Sequence, residues 1–126
     1  MATILLVDDE PFQALDRKTA LEQRFPDVER VADAAEALCL IEEPRFANNL
    51  RLVIAGNHAP GFGGPQFVSE LKDRLPELNV LVIGNRGERF SDYAESEVHF
   101  LPRRTSANEL VAEAEILLDE DESFAA

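Results

Sequence analysis

The sequence predicts one α/β domain in which five parallel strands form a doubly wound sheet with helices on both faces. Short apolar runs without polar alternation, as at residues 4–7 and 52–55, are typical of strands that are covered on both faces. Segments with helical spacing of apolar residues alternate with these runs along the chain. A chain of 126 residues is long enough to bury one core and too short for two.

The first strand and helix are predicted from an apolar run and a proline. Residues 3–7 form strand 1, and Pro11 suits the first turn of a helix that runs to about residue 24. We expect the helix to have an imperfect inner face, formed by Phe12, Leu15, Leu21 and Phe25. Strand 2 follows at residues 28–32.

A capping box starts the second helix, because Glu36 follows Asp33 by three residues. The expected buried stripe of this helix has i, i+3, i+4, i+7 spacing and consists of Ala34, Ala37, Leu38 and Ile41. Pro44 is expected to end the helix, and residues 44–51 are predicted to form a loop before strand 3 at residues 52–55.

A glycine-rich turn at residues 56–64 follows strand 3 and leads to a helix that starts at Pro65 and stops before Pro76. Its expected inward residues are Phe67, Val68, Leu71 and Leu75. Strand 4 is predicted at residues 80–83, with a short helix between residues 88 and 95.

Strand 5 is predicted at residues 98–101, before the last helix. Ser106 and Glu109 form the capping box of that helix. Its expected inward residues are Leu110, Ala114 and Leu117. The last residues include four consecutive acids, so we expect one domain over residues 1–118 and an acidic tail or the start of a linker at 119–126.

The charge and composition exclude several classes of function. Twelve Lys and Arg residues against 25 Asp and Glu residues give a net charge of -13, which repels nucleic acid phosphates and anionic membranes. We therefore expect neither nucleic acid binding nor membrane binding. The apolar runs are too short to cross a bilayer, and no export signal is visible. The single cysteine cannot form an internal disulfide. Together these features favour a cytoplasmic location.

Asp8 and Asp9 follow strand 1 directly, at the carboxyl edge of the predicted sheet. Right-handed crossovers favour the strand order 2-1-3-4-5, in which the direction of winding switches between strands 1 and 3. Open α/β sheets place their ligand chemistry at such a switch point. We therefore expect Asp8 and Asp9 to face the turn that begins at Gly56.

Three groups of residues, in this order along the chain, resemble the receiver domain of bacterial response regulators. They are Ile4-Leu5-Leu6-Val7-Asp8-Asp9-Glu10-Pro11, then Pro60-Gly61-Phe62-Gly63-Gly64, then Phe100-Leu101-Pro102-Arg103 with Glu109-Leu110. The resemblance covers nearly the whole chain. It implies the flavodoxin-like fold and a part in two-component or phosphorelay signalling.

The resemblance also implies which residues stand at the site positions of that family. Gly56 takes the place of the aspartate that accepts a phosphoryl group from a histidine kinase, and Gly84 that of a threonine or serine ending strand 4. Arg103 takes the place of the strand-5 lysine, and Phe100 that of the switch aromatic. The implied magnesium ligands are Asp8, Asp9 and the main-chain carbonyl of His58.

These substitutions predict a degenerate site without a catalytic residue. Gly56 has no side chain, so neither an acyl phosphate nor a third metal carboxylate can form there. Arg103 can fork onto a carboxylate and close the pocket that magnesium would occupy, so we expect weak magnesium binding or none. Alternatively, Arg103 points to solvent and Asp8 or Asp9 caps the first helix.

Three functions remain open at this stage. We favour a pseudo-receiver that is not an enzyme, binds protein partners as a monomer or homodimer, and works without phosphorylation. The second is an active phosphotransfer receiver that uses Asp8 or Asp9 as the acceptor. The third is an unrelated ligand binder on a flavodoxin-like sheet, although the acids after strand 1 oppose a flavin phosphate by like charge.

Overall fold

The computed structural model describes residues 3–56, 64–84, 89–93 and 98–125, with side chains as far as residue 119. The strands are β1 (Ile4–Val7), β2 (Val28–Val31), β3 (Leu52–Ala55), β4 (Asn79–Ile83) and β5 (His99–Leu101). They form one parallel sheet in the order β2-β1-β3-β4-β5, which confirms the predicted fold class and strand order.

The register of the sheet brings the residues that follow β1, β3 and β4 to one edge. Val7 lies opposite Ala55, and the N–H of Gly56 donates to the Val7 carbonyl at 2.9 Å. The N–H of Gly84 donates to the Leu101 carbonyl at 3.0 Å. These two glycines therefore continue the hydrogen bonding of the sheet just beyond the strands that they follow.

The helices are α1 (Pro11–Glu22), α2 (Ala34–Ile41), α3 (Pro44–Asn49), α4 (Gly64–Arg74) and α5 (Ala107–Ala125), with a 3₁₀ helix at Phe90–Tyr93. The predicted loop at residues 44–51 is wrong over α3. Pro44 occupies the first turn of this helix, where a missing N–H costs nothing, and the Glu43 carboxylate accepts from the N–H of Arg45.

Other segments differ less from the sequence-based expectations. The short helix expected between residues 88 and 95 is the 3₁₀ helix at Phe90–Tyr93, and residues 85–88 and 94–97 lie outside the described residues. The acidic run at residues 119–122 is helical and continues α5. Its assignment as a tail or the start of a linker stays a prediction.

Apolar side chains from both faces of the sheet form the core. On one face the strands pack against α2 and α4, and on the other against α1 and α5. The predicted inward residues of α2, α4 and α5 are buried or partly buried. The Ser106–Glu109 capping box forms in both directions, whereas at Asp33 the cap forms and the Glu36 carboxylate accepts from the N–H of Ala32. None of the described helices is both long enough and apolar enough to cross a membrane.

The predicted inner face of α1 is wrong for two of its four residues. Phe12 is 82% exposed and Leu15 is 64% exposed, whereas Ala14, Arg17 and Leu21 are buried. The buried residues have the i, i+3, i+7 spacing of one helical face. This rotation of α1 turns the arginine towards the sheet.

Candidate functional site

A cavity of about 250 Å³ lies at the carboxyl edge of the sheet, where β3 and β4 end. Its lining consists of Glu10, Gln13, Arg17, Gly56, Ile83, Gly84 and Arg103. Three of these residues, Gly56, Gly84 and Arg103, stand at positions that the sequence analysis assigned to the site. The structure therefore brings these three positions together around one cavity.

Asp8 is completely buried beside this cavity, and hydrogen bonds hold both its side chain and its backbone. Its Oδ1 accepts from the N–H of Glu10 at 3.0 Å, and its Oδ2 accepts from Arg17 Nη1 at 2.9 Å. Its carbonyl accepts from Nε and Nη2 of Arg30, at 3.0 and 2.7 Å, and its N–H donates to the Val31 carbonyl. Both carboxylate oxygens of Asp8 thus have a donor.

Arg17 on α1 forms a buried ion pair with Asp8. It is 4% exposed. Burial lowers the pKa of Arg17, while the charge of Asp8 and its hydrogen bond act in the opposite direction. A guanidinium remains charged at physiological pH even so, and the site therefore contains a permanent internal cation.

Sequence reasoning missed both arginines that bind Asp8. It placed Phe12 and Leu15 on the inner face of α1, which left Arg17 on the outside. The spacing of Ala14 and Leu21 was the available signal, because an apolar pair seven residues apart shares its helical face with residue 17.

Gly56 lies beside Asp8, as the strand order predicts, and the guanidinium of Arg17 lies against it as well. A Cβ atom at residue 56 would lie 2.5 Å from Arg17 Nη1, 3.4 Å from the Val7 carbonyl oxygen and 3.5 Å from Asp8 Oδ2. The guanidinium therefore occupies the space that any side chain at this position would enter first. The absence of a Cβ at Gly56 allows Arg17 to reach Asp8.

Gly84 lies against the ring of Phe100, at the end of the neighbouring strand. A Cβ atom at residue 84 would lie 2.8 Å from Phe100 Cζ. The ring is partly buried and packs against two other aromatic rings, with centroid distances of 5.9 Å to Tyr93 and 6.0 Å to Phe90. The space of the missing side chain at residue 84 is thus filled by an apolar ring.

The N-terminus of α1 is capped by Glu10 rather than by either aspartate. Its carboxylate accepts from the N–H groups of Phe12 and Gln13, so the alternative in which Asp8 or Asp9 caps the helix is wrong. Glu10 is the residue directly before α1, which is the position of an N-cap. The Asp8 carboxylate accepts from Arg17 instead.

Asp9 and Arg103 are both exposed, and Arg103 lines the cavity. The arginine that forms the buried pair with Asp8 is Arg17, so closure of the pocket by Arg103 stays a prediction. His58, the third predicted magnesium ligand, lies outside the described residues.

Magnesium requires an octahedral shell rich in oxygen ligands. The Asp8 carboxylate is occupied by Arg17 and by a main-chain N–H. Among the residues that the structure describes, no three His, Cys, Asp or Glu side chains are grouped so that they could hold a metal ion. Weak or absent magnesium binding therefore stays a prediction.

No protein-family profile matches the chain. The chain is 27% identical over 124 residues to the sensor kinase CckA of Brucella abortus (strain 2308), and 30% identical over 96 residues to the hydrogenase transcriptional regulatory protein HoxA of Cupriavidus necator. These matches cover 96% and 76% of this chain, but 13% and 17% of those proteins. The chain thus spans less than a fifth of either curated relative.

Solved structures match the fold over almost its whole length. A response regulator receiver domain protein from Clostridium thermocellum has a TM-score of 0.82 and 21% identity, covering 98% of this chain and 99% of that one. The receiver domain of the hybrid histidine kinase CckA has a TM-score of 0.73 and 27% identity, covering 91% and 97%. The chain thus has the five-stranded, flavodoxin-like fold of receiver domains of the two-component type.

Receiver domains are signalling modules that generally lack enzymatic activity and interact with other signalling proteins. In this chain, the cavity at the carboxyl edge is lined by the buried Arg17, whose ion-pair partner Asp8 lies buried beside it. The cavity is also lined by the glycines that follow β3 and β4, Gly56 and Gly84.

Proposed function

We propose that this receiver domain is a pseudo-receiver, a protein-interaction module of bacterial cytoplasmic signalling that works without phosphorylation. One observation carries the proposal. Nη1 of Arg17 lies 2.5 Å from the position of a Cβ at residue 56 and 2.9 Å from Asp8 Oδ2. An internal cation thus fills the place where an acceptor side chain and a metal ion would stand in the family that the sequence resembles.

Neither the acceptor position nor the buried aspartate beside it offers a suitable acceptor for a phosphoryl group. Gly56 has no side chain, and phosphoryl transfer to protein needs an oxygen or nitrogen nucleophile. Asp8 is completely buried, and its carboxylate is engaged by Arg17 and the N–H of Glu10. Approach of a phosphoryl donor to Asp8 would first require the buried ion pair to open.

The second glycine supports the same proposal from the side of signal transmission. A ligand shifts a conformational equilibrium only through contacts that differ between the two states. Gly84 offers no hydroxyl to a group bound in the cavity, and Phe100 already occupies the adjacent space. The proposed module therefore keeps one arrangement of β4 and β5.

Incubation with acetyl phosphate and magnesium, followed by intact-mass measurement, tests the proposal. We expect no change in mass, while a receiver domain that retains its acceptor aspartate gains one phosphoryl group in parallel. A gain that is lost in the Asp9→Asn or Asp8→Asn variant would establish the alternative of an active receiver with a displaced acceptor.

Magnesium itself should bind weakly, because Arg17 already neutralises Asp8. Isothermal titration calorimetry with magnesium chloride measures this directly. Submillimolar affinity for magnesium would contradict the proposed role of Arg17.

Restoring the acceptor separates the effects of Gly56 and Arg17. The Gly56→Asp variant should take up little label, since its new side chain meets the Arg17 guanidinium at 2.5 Å. The Gly56→Asp, Arg17→Ala double variant should be labelled by acetyl phosphate with magnesium. In both variants, the amide chemical shifts of α5 should stay unchanged, because Gly84 has no side chain that could transmit a change to Phe100. Large chemical shift changes of these amides would show that a conformational switch survives.

A further inference from the structure

A groove of about 230 Å³ lies between α5 and the C-terminal end of α1, at the other end of α1 from the cavity at the carboxyl edge. On α5, the residues that line this α1–α5 groove have the i, i+3, i+4, i+7 spacing of one helical face and are Asn108, Val111, Ala112 and Glu115. Small-molecule sites usually have a volume of about 300–1,000 Å³. The groove therefore suits side chains of a protein partner better than a small ligand.

Small side chains leave room for a helix in the α1–α5 groove. Ala20 of α1 and Ala112 of α5 both line it, and Ala112 is exposed. Side chains of a third helix can pack into the groove between two neighbouring helices, with axes about 8–10 Å apart. A larger side chain at residue 112 would thus block the groove without disturbing the core.

Ile116 provides an apolar contact point at the rim of the α1–α5 groove. It is 51% exposed and lies one helical turn beyond Ala112, on the same side of α5. A single exposed apolar residue is common on protein surfaces and needs no partner. Its position beside a groove with small side chains is the feature that indicates a docking surface.

The charges along α5 define the chemistry of the partner. Between residues 107 and 119, α5 has no Lys, Arg or His and has four carboxylates, those of Glu109, Glu113, Glu115 and Asp119. Glu113 and Asp119 lie three residues before and after Ile116, so they flank it along the helix. The apolar contact point is thus bordered by negative charge.

The cations near the α1–α5 groove do not offset this charge. Arg24 Nε lies 2.7 Å from Glu115 Oε1, and Lys18 Nζ lies 3.2 Å from Glu22 Oε2. Each of these two cations therefore already has a carboxylate partner within the chain. A second copy of the chain is a poor occupant, because two molecules of net charge -13 repel each other.

We propose that the α1–α5 groove binds a cationic amphipathic helix of a partner protein. An apolar residue of that helix packs against Ala112 and Ile116, and its Lys or Arg residues face the carboxylates of α5. Binding of an amphipathic helix in a groove is a recurring mode of peptide recognition. The proposal deepens the proposed function, since it rests on the chain acting through protein partners and names the surface and the chemistry of one of them.

A synthetic peptide of about 18 residues, or five helical turns, is the probe. Leucine occupies one face of the peptide at i, i+3, i+4, i+7 spacing, and lysine occupies the other. In an NMR titration of the ¹⁵N-labelled protein, we expect saturable shifts of the amides of residues 20–24 and 108–116. A peptide of the same composition in scrambled order keeps the charge but has no apolar face, so it should bind about tenfold more weakly or less tightly still.

Two exposed alanines provide matched variants. Ala112→Arg places a long cationic side chain in the groove and should weaken binding of the peptide by about tenfold or more. Ala35→Arg adds the same charge to α2, on the other face of the sheet, and should weaken binding by less than about twofold. Both residues are exposed on helices, so both variants should fold.

The apolar contact has its own pair of variants. Ile116→Ala removes part of the surface that the peptide covers and should weaken binding by about fivefold. Leu15→Ala removes a similar exposed side chain of α1 that does not line the groove, and it should leave the affinity unchanged.

Three results would overturn the site. They are the absence of saturable binding, equal weakening by Ala112→Arg and Ala35→Arg, and shifts centred on α2 or α3 instead of the groove. A dimer in analytical ultracentrifugation that Ala112→Arg dissociates would also overturn it, because a second copy would then occupy the groove. The mass measurement after acetyl phosphate treatment is independent of these outcomes, so the docking surface can fail while phosphorylation independence holds, and the reverse is also true.

Discussion

Gly56 and Gly84 end neighbouring strands and line the same cavity, but different groups fill the space beside them. At Gly56 the neighbour is a buried guanidinium, which Asp8 fixes in position. At Gly84 the neighbour is the ring of Phe100, which is partly buried and held by aromatic contacts. The absence of a side chain is thus linked to a buried ion pair at Gly56 and to the packing of an aromatic ring at Gly84.

The largest expected effect comes from breaking the ion pair beside Gly56. Asp8→Ala should lower the free energy of unfolding by about 3–5 kcal/mol, because it leaves the buried charge of Arg17 without a partner. Urea denaturation followed by circular dichroism measures the change. The Asp8→Ala, Arg17→Met double variant should cost less than the sum of its single changes, since no buried charge is then left unpaired.

An exposed ion pair on the same helix is the matched control. Lys18 Nζ and Glu22 Oε2 are 3.2 Å apart on the surface of α1. Lys18→Ala should cost less than about 0.5 kcal/mol, as is usual for exposed pairs one helical turn apart. If Asp8→Ala lowered the free energy of unfolding no more than Lys18→Ala, the buried ion pair beside Gly56 would contribute no more than an exposed pair. The proposed difference between the surroundings of Gly56 and Gly84 would then have no energetic basis.

Gly56→Ala should give the second-largest effect. The new methyl group would meet Arg17 Nη1 at 2.5 Å, and the guanidinium can move only by leaving Asp8. We expect a loss of about 2–3 kcal/mol, at the upper end of the range for overpacked cores. The same substitution in an Arg17→Met background should cost clearly less, and an unchanged cost would place the conflict elsewhere.

Gly84→Ala should have a smaller effect, although its nearest contact is also short. The methyl group would meet Phe100 Cζ at 2.8 Å, and the far end of a partly buried ring can turn aside. We expect a loss of about 1 kcal/mol, at the lower end of the same range. Shifts of the Phe100 ring protons would accompany it, and a loss as large as that of Gly56→Ala would contradict the comparison.

The sequence was sufficient for most of the fold because its signals are local. Apolar runs gave the five strands, and the Asp33–Glu36 and Ser106–Glu109 boxes gave two helix starts. The crossover rule then left few strand orders, and the expected one, 2-1-3-4-5, is the order observed. The loop expected at residues 44–51 failed because Pro44 was taken as the end of one helix, although proline is equally suited to begin the next.

The site was predicted only in part, because its main contact is not local. The positions of Gly56, Gly84 and Asp8 follow from strand ends, which sequence patterns locate well. The partner of Asp8 depends on the rotation of α1, and two large apolar residues, Phe12 and Leu15, indicated the wrong face. Exposed apolar residues are common on protein surfaces, so their presence did not fix the rotation.

The smallest expected effect concerns Arg103, which lines the cavity together with both glycines. Because Arg17 already provides the buried cation for Asp8, Arg103→Ala should change the free energy of unfolding by no more than about 0.5 kcal/mol. Arg104→Ala, an adjacent exposed arginine, should give the same small value in urea denaturation. If Arg103→Ala instead cost about 1–2 kcal/mol more than Arg104→Ala, Arg103 would close the pocket as the sequence predicted, through charge-assisted hydrogen bonds that its exposure does not suggest. Arg17 would then be one of two structural cations, and the contrast between a charged neighbour at Gly56 and an apolar one at Gly84 would have to include this third residue.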